Sequence, residues 1–200
     1  WYTRVKIGME SYYQMFNQIL PKTGTITDVG CGYGYLAYML KYTSPERSIF
    51  AMDYDEDKIS VAQNNYSNRK LGISFEAADI NEYTVNPSDG IVALDILHYL
   101  TPEQQVNTIN KLMNALNPKG ILIIRDANVD YKKKHLFTRY TEFFSTKSGF
   151  NKTKPQGLSF LSSGLIEKTV AQNGNFTCEI IDNTRYLSNL VYIIKPKADI

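Results

Sequence analysis

The sequence has very little cysteine: Cys31 and Cys178 are the only two among 200 residues. They form no CxxC pair and belong to no cysteine–histidine cluster. Neither a disulfide framework nor a zinc site can therefore be built from cysteine, and we predict no metal centre. Reduced thiols of this kind are typical of a cytoplasmic protein, which is the location we expect.

Long hydrophobic runs and a large net charge are also missing. The apolar run at residues 190–194 is among the longest and is about a quarter of the ~20 residues that a membrane-spanning helix needs. The formal net charge is +2, which gives no reason to expect a nucleic acid partner. The charge is unevenly placed, with an acidic excess of four in residues 1–100 and a basic excess of six in residues 101–200. The chain opens on Trp1 without a signal-peptide pattern, and we expect it to be excised from a longer protein.

An alternation of strand-like and helical segments fills the chain. Residues 1–22 predict an N-terminal helix, and β-rich runs follow at residues 25–30, 48–53, 73–79, 90–97 and 120–126. A helix start is predicted at Thr101, where threonine, proline and Gln104 form a capping-box pattern. Two further strand-like runs, residues 177–182 and 189–195, are separated by too few residues for a helical crossover. We predict one α/β domain over residues 1–200, Rossmann-like and doubly wound, with a mostly parallel seven-stranded sheet ending in an antiparallel hairpin.

The strongest chemical signal is Asp-Val-Gly-Cys-Gly-Tyr-Gly at residues 28–34, where the first strand turns into a helix. Glycines at this turn allow a tight bend and the close approach of a ligand. The next strand ends at Asp53, nineteen residues after Gly34, close to the ~20-residue offset of a ribose-binding carboxylate. The alternatives are a simple tight connection for the glycines and a solvated strand end for Asp53.

The charge before the glycines bears on which nucleotide binds. Gly32, Gly34 and Ala37 fit the dinucleotide pattern G-x-G-x-x-A, so a dinucleotide-dependent oxidoreductase is one alternative. Asp28, however, would repel a pyrophosphate and attract a cation such as the amino group of a methionine moiety. Asp28 therefore favours S-adenosylmethionine.

With these motifs the chain resembles the class I S-adenosylmethionine-dependent methyltransferases over nearly its whole length. Further matching segments are Ala-Met-Asp-Tyr at 51–54, Glu-Ala-Ala-Asp-Ile at 76–80, Asp-Ile-Leu-His-Tyr-Leu at 95–100 and Leu-Asn-Pro-Lys-Gly at 116–120. The resemblance implies S-adenosylmethionine as cofactor, bound by Asp28, Gly30, Cys31, Gly32, Gly34, Asp53, Tyr54, Asp79, Ile80 and Asp95. Asp53 would hold the ribose hydroxyls with Tyr54 beside the adenine, and Asp79 and the Ile80 amide would meet the adenine edge. A helix cap is the alternative role for Asp79.

Methyl transfer to a hydroxyl or an acidic carbon also needs a general base. His98 follows the fourth strand at the edge that faces the cofactor, which makes it a candidate. The alternative is a structural histidine that bonds the backbone or packs on the cofactor.

A basic segment at residues 130–154 carries seven lysines and arginines against two acidic residues, interleaved with aromatic side chains. Such a long connection at the ligand-binding edge of the sheet predicts a substrate lid over residues 129–157. Arg139 and Phe143 are the predicted substrate contacts, and Tyr140 and Glu142 are alternative catalytic bases. A solvated loop and a surface for anionic lipid remain open alternatives.

A closer resemblance involves residues 44–47, 53–59, 97–102 and 138–145. These segments are similar to the C-terminal methyltransferase module of bacterial fusion proteins that carry transporter-like and lysophospholipid-acyltransferase-like domains. The resemblance implies a small-molecule, lipid, polyene or phenolic acceptor, handled near a membrane by the full-length chain. A noncatalytic cofactor-binding module is the remaining alternative.

Overall fold

A computed structural model of the chain describes residues 10–65, 68–127, 159–162, 164–182 and 189–198. Its strands are β1 (Gly24–Val29), β2 (Arg47–Asp53), β3 (Ser74–Ala77), β4 (Ser88–Leu94), β5 (Leu116–Ala127), β6 (Phe176–Ile181) and β7 (Asn189–Pro196). Its α-helices are α1 (Glu10–Ile19), α2 (Tyr35–Thr43), α3 (Glu56–Gln63), α4 (Asn68–Leu71), α5 (Pro102–Asn114) and α6 (Leu165–Asn173). A 3-10 turn covers Leu97–Tyr99.

The seven strands form one sheet in the order β3-β2-β1-β4-β5-β7-β6. Strands β1 to β5 run parallel, whereas β7 is antiparallel to both β5 and β6. The predicted mostly parallel, doubly wound sheet with antiparallel final strands is confirmed. From β1, the chain first adds β2 and β3 on one side and then returns to add β4 and β5 on the other, so β1 lies between β2 and β4. In open α/β sheets, ligands bind at such a switch point, at the carboxyl ends of the strands.

Local sequence signals place the ends of two helices. Helix α1 ends two residues before Pro21, as a proline boundary predicts. The predicted capping box of α5 is present, because Thr101 Oγ1 accepts from the Gln104 amide at 3.3 Å and Gln104 Oε1 accepts from the Thr101 amide at 2.9 Å. Helix α5 therefore begins directly after the turn that carries His98.

Apolar side chains cover the sheet on both faces. One face packs against α1, α2 and α3 through residues that include Phe16, Leu36, Leu40 and Ile59. The other packs against α5 and α6 through Ile109, Leu112, Ile166 and Val170, among others. Residues 91–93 of β4 are fully buried, as expected for a strand covered from both sides. Within the described ranges, no helix is both long and apolar enough to cross a membrane.

The predicted lid and part of the predicted N-terminal helix are not among the described residues. The predicted substrate lid at residues 129–157 lies outside the described residues, and so do the first nine residues of the predicted N-terminal helix.

Candidate active site

The glycine-rich loop after β1 is attached to the neighbouring strand. The Gly30 and Cys31 amides both donate to the Met52 carbonyl, at 2.8 and 2.9 Å. Gly30, Gly32 and Gly34 all have left-handed backbone angles, with φ of 75°, 56° and 75°. Glycine tolerates this region, whereas other L-residues are strained there.

The three glycines differ in what surrounds them. A Cβ added at Gly30 would lie 2.1 Å from Ile96 Cγ2, and one at Gly34 would lie 2.6 Å from a ring carbon of Phe75. A Cβ at Gly32 would meet nothing within 4 Å. Gly30 and Gly34 are thus required by packing, while Gly32 presents bare backbone to open space, as the close approach of a ligand requires.

Asp28 lies beside this loop at the carboxyl end of β1 and is only 2% exposed. It lines a crevice together with the glycine loop and the rings of Tyr13 and Tyr35, whose centroids are 5.5 Å apart. A carboxylate in a poorly hydrated crevice attracts a cation, and aromatic faces do the same. These residues fit the cationic methionine end of S-adenosylmethionine.

The Cys31 thiol lies in the same crevice, close to two carboxylates. Burial raises the pKa of Cys31 above its usual range, and the carboxylates of Asp28 and Asp53 raise it further. The thiol therefore stays neutral in this crevice, and the same two carboxylates favour a positively charged ligand.

Asp53 joins the glycine loop to the end of β2. Its Oδ2 accepts from the Gly32 amide at 2.7 Å, and its Oδ1 accepts from the Asp55 amide at 2.9 Å. The Ala78 amide donates to the Asp53 carbonyl at 3.0 Å, and Tyr54 beside it is 53% exposed. The structure thus brings together the loop, the end of β2 and the start of the turn at residues 78–83. Ribose binding by Asp53 stays a prediction.

Asp79 begins that turn. Its Oδ1 accepts from the backbone and side-chain amides of Asn81, at 3.0 and 2.9 Å. Its carbonyl accepts from the Glu82 and Tyr83 amides, so the residue caps a turn, which is close to the alternative role considered for it. Ile80 is nearly buried. Contacts of both residues with adenine remain predictions.

Asp95 follows β4 in a left-handed conformation, with φ of 56°. Its carboxylate forms an ion pair with Arg125, which is 2% exposed, and Asp95 Oδ1 also accepts from Asn189 Nδ2 at 2.8 Å. The side chain thus connects β4, β5 and β7. Its predicted part in cofactor binding is an expectation beside this structural role.

His98 is 2% exposed and sits in a buried pair with Asp126. Its Nδ1 lies 2.6 Å from Asp126 Oδ1, and its ring stacks on Phe160 with centroids 5.7 Å apart. Asp126 also accepts from the Leu97 amide at 2.7 Å, which holds the turn. The carboxylate orients the imidazole, as in pairs of a catalytic base and its orienting group, but the same contacts serve a structural histidine. Base catalysis by His98 stays a prediction.

Some residues at this edge were missed by reasoning from sequence. Tyr13 and Tyr35 line the crevice. Tyr35 could have been found from its position directly after Gly34, whereas no sequence signal marked Tyr13. Asp126 stands at the end of the fifth strand, and a strand-end carboxylate was the signal that could have found it. The predicted residues Arg139, Tyr140, Glu142 and Phe143 lie outside the described residues.

Comparisons with known proteins agree with this geometry. The sequence profile of a family described as a methyltransferase domain matches residues 21–180. A carboxy-S-adenosyl-L-methionine synthase from Campylobacter jejuni subsp. doylei is 25% identical over 148 residues, covering 72% of this chain and 63% of the relative.

Solved structures share the fold. A protein from Pyrococcus horikoshii superposes with a TM-score of 0.72 at 17% identity, covering 96% of this chain and 91% of the other. Magnesium protoporphyrin IX methyltransferase from Synechocystis, with bound S-adenosylhomocysteine, gives a TM-score of 0.70 at 18% identity, covering 96% and 84%. The chain spans about half to two thirds of the length of the first curated relatives it matches.

Proposed function

The chain belongs to the methyltransferase domain family, and from this we propose that it transfers a methyl group from S-adenosylmethionine to a small-molecule acceptor. The observation that carries the proposal is the buried carboxylate of Asp28 in a crevice lined by Gly30 and Cys31 of the glycine loop, at the switch point of the sheet. Family membership and the acidic crevice together favour this activity over a dinucleotide-dependent oxidoreductase, whose pyrophosphate Asp28 would repel.

Residues at the carboxyl ends of the strands would each hold one part of the cofactor. Asp28, with Tyr13 and Tyr35 beside it, would hold the cationic methionine end. The Gly32 backbone would lie against the nucleoside, Asp53 would accept from the ribose hydroxyls, and Asp79 from the adenine amine.

When bound, S-adenosylmethionine supplies a methyl group on a positively charged sulfur, which is already a strong electrophile. The protein then has mainly to align the acceptor with that methyl group. Positioning of this kind can contribute about 7–11 kcal/mol to lowering a barrier. For a hydroxyl or an acidic carbon, His98, oriented by Asp126, is the candidate base. Tyr140 and Glu142 are the alternative bases.

The acceptor is proposed from the sequence resemblance. A lipid, polyene or phenolic acceptor suits the basic and aromatic composition of residues 130–154, where Arg139 would pair with an anion and Phe143 would contact apolar bulk. The proposed setting is a longer chain that works near the inner face of a membrane.

Isothermal titration calorimetry tests the cofactor. We expect micromolar binding of S-adenosylhomocysteine and no binding of NAD or NADH. If the protein bound NADH but did not bind S-adenosylhomocysteine, the proposal would be refuted. A screen of lipids and phenols with a labelled methyl donor then tests transfer, and tight cofactor binding without turnover of any acceptor would leave a noncatalytic module.

A second reaction is worth testing because several curated relatives are named carboxy-S-adenosyl-L-methionine synthases, a name that makes the carboxylated compound a product. The same titration with carboxy-S-adenosylmethionine separates the two. Tighter binding of the carboxylated compound than of S-adenosylmethionine would favour the chemistry named for those relatives over simple methyl transfer.

A further inference from the structure

Lys111 on α5 is bonded to the turn that carries Asp79 and Ile80. Its Nζ donates to three backbone carbonyls, those of Ile80 at 2.6 Å, Asn81 at 3.1 Å and Tyr83 at 3.0 Å. An ammonium group has three donors, so this single side chain uses all of them on one turn. No sequence motif identified Lys111.

The turn is held at its other points by its neighbours. The Ala78 amide donates to the Asp53 carbonyl at the start of the turn. At its end, the Tyr83 ring stacks on Phe50 with centroids 5.8 Å apart and planes 14° apart. Between these two points Ile80 shares an apolar cluster with Ile109 and Leu112 of α5, and Lys111 adds the polar contact between the turn and that helix. Without it, the three carbonyls lose a charged donor, and the backbone between Asp79 and Tyr83 can relax.

We propose that Lys111 is a positioning residue that determines the base specificity of the nucleoside subsite. By holding the carbonyls of residues 80, 81 and 83 towards α5, Lys111 keeps the Asp79 carboxylate and the Ile80 amide in place to meet the adenine edge. The inference rests on the proposed function, because it assumes that Asp79 and Ile80 face the adenine.

The chemistry of the adenine edge supplies a test. A carboxylate accepts from the 6-amino group of adenine but repels the 6-oxo group of hypoxanthine. The unaltered protein should therefore bind S-adenosylhomocysteine more tightly than S-inosylhomocysteine, and the ratio of the two affinities reports the placement of Asp79. A general loss of fold stability would lower both affinities and leave the ratio unchanged.

Lys111→Met removes the donors and keeps much of the side-chain length. We expect it to lower the affinity for S-adenosylhomocysteine about tenfold while leaving that for S-inosylhomocysteine nearly unchanged, so that the ratio falls. Lys111→Arg, which retains a cationic donor, should restore most of the ratio. If Lys111→Met does not fold, Lys111→Leu, which also removes the donors, serves in the same comparison.

Lys41 provides a matched control. Its Nζ also donates to two backbone carbonyls, those of Pro45 and Arg47, but these lie at the amino ends of the strands, away from the proposed cofactor site. Lys41→Met should leave the ratio of affinities as it is. An unchanged ratio in Lys111→Met, with the unaltered protein preferring the adenosyl ligand, overturns this inference alone. Absence of binding of either ligand to the unaltered protein would instead refute the proposed function, and the inference with it.

Discussion

Two buried arginines lie at opposite ends of the parallel strands, which we call the amino edge and the carboxyl edge of the sheet. Their positive charges are compensated in different ways. Arg47, at the amino end of β2, is 0% exposed and donates to carbonyls that end two helices, those of Asn17 and Leu20 in the α1 region and Leu40 in α2. Arg125, near the carboxyl end of β5, is 2% exposed and pairs with the carboxylate of Asp95. One cation is compensated by helix dipoles and the other by a charge.

The two environments have opposite effects on acidity. Burial lowers the pKa of Arg47. Burial is also the largest single influence on Arg125 and acts to lower its pKa, but the ion pair and hydrogen bond with Asp95, together with the charges of Tyr13 and Asp126, raise the pKa overall. At the amino edge, Arg47 meets the protein's own carbonyls, which is a structural role. At the carboxyl edge, Arg125 engages Asp95, while Asp28 on β1 lines the crevice and supplies its negative charge.

The largest effect is expected from removing the amino-edge cation. Arg47→Met removes the donor to the Leu20 and Pro21 carbonyls. We expect the free energy of unfolding to fall by about 3–5 kcal/mol, since each unpaired buried group costs about 1–3 kcal/mol. Urea denaturation measures the loss. Affinity for S-adenosylhomocysteine, measured under conditions where the variant is folded, should stay within about twofold of the unaltered protein. A large loss of affinity would contradict the separation of the two edges.

Within the carboxyl edge, alanine at two glycines should separate packing from binding. Gly30→Ala places a methyl group against Ile96, so overpacking adds about 1–3 kcal/mol to the strain of a positive φ. Gly32→Ala meets no protein atom within 4 Å and should cost only the strain, about 1–2 kcal/mol.

In a binding experiment, Gly32→Ala should lose more affinity than Gly30→Ala, although Gly30→Ala loses more stability. Gly32→Ala puts a methyl group where the cofactor approaches, and we expect its affinity for S-adenosylhomocysteine to fall at least about tenfold. Thermal denaturation and calorimetry on the same two variants check the pair of results. Unaltered affinity in Gly32→Ala would mean that the ligand does not pass over this backbone.

A smaller change in free energy is expected when the crevice carboxylate is neutralised. Asp28→Asn removes the charge that holds the cationic end of S-adenosylmethionine and should weaken binding by about 1–3 kcal/mol. The matched control is Asp89→Asn, since Asp89 accepts from Asn117 and the Thr25 amide at the amino edge, both at 2.8 Å. Calorimetry should show an unchanged affinity for S-adenosylmethionine in the control. Equal losses of affinity in both variants would remove the assigned role of Asp28.

The smallest effect is the acid sensitivity of the amino edge. Hydrogen bonds from Asn117 and the Thr25 amide lower the pKa of Asp89 below its usual range. Because the folded-state value is the lower one, this contribution is complete above the unfolded-state pKa of about 4 and is lost as the pH falls through the folded-state pKa. Asp89→Asn should therefore flatten the acid limb of stability measured by urea denaturation between about pH 6 and about pH 2. An identical acid limb in the variant would exclude the linkage.

Much of the fold could be predicted because the signals are local. Periodic apolar residues marked the strands, Pro21 marked the end of α1, and the pattern from Thr101 to Gln104 marked the start of α5. The antiparallel pairing of the last two strands followed from their short separation. Their position at one end of the sheet was also predicted, but their order was not: β7 lies beside β5 and leaves β6 as the outermost strand, which long-range packing decides.

The candidate site divides in the same way. Asp28, the three glycines and Asp53 were identifiable because spacing along one strand–turn–helix unit determines where they lie. Arg125 and Lys111 could not be placed from their own surroundings, since charged residues are usually expected on the surface. Their partners lie about 30 residues away in the chain, and only the folding of neighbouring strands and helices brings them into contact.

By itself, the sequence determined the α/β class, the order of its elements and the acidic, glycine-rich turn after β1, because each depends on short-range periodicity, turn chemistry and charge. Tertiary structure alone decided that Tyr13 from α1 would line the crevice, that His98 would be paired with Asp126, and that Lys111 would hold the turn after Asp79. Those contacts require desolvated polar groups from separate elements to meet, and burial makes their pairing obligatory once the strands have packed.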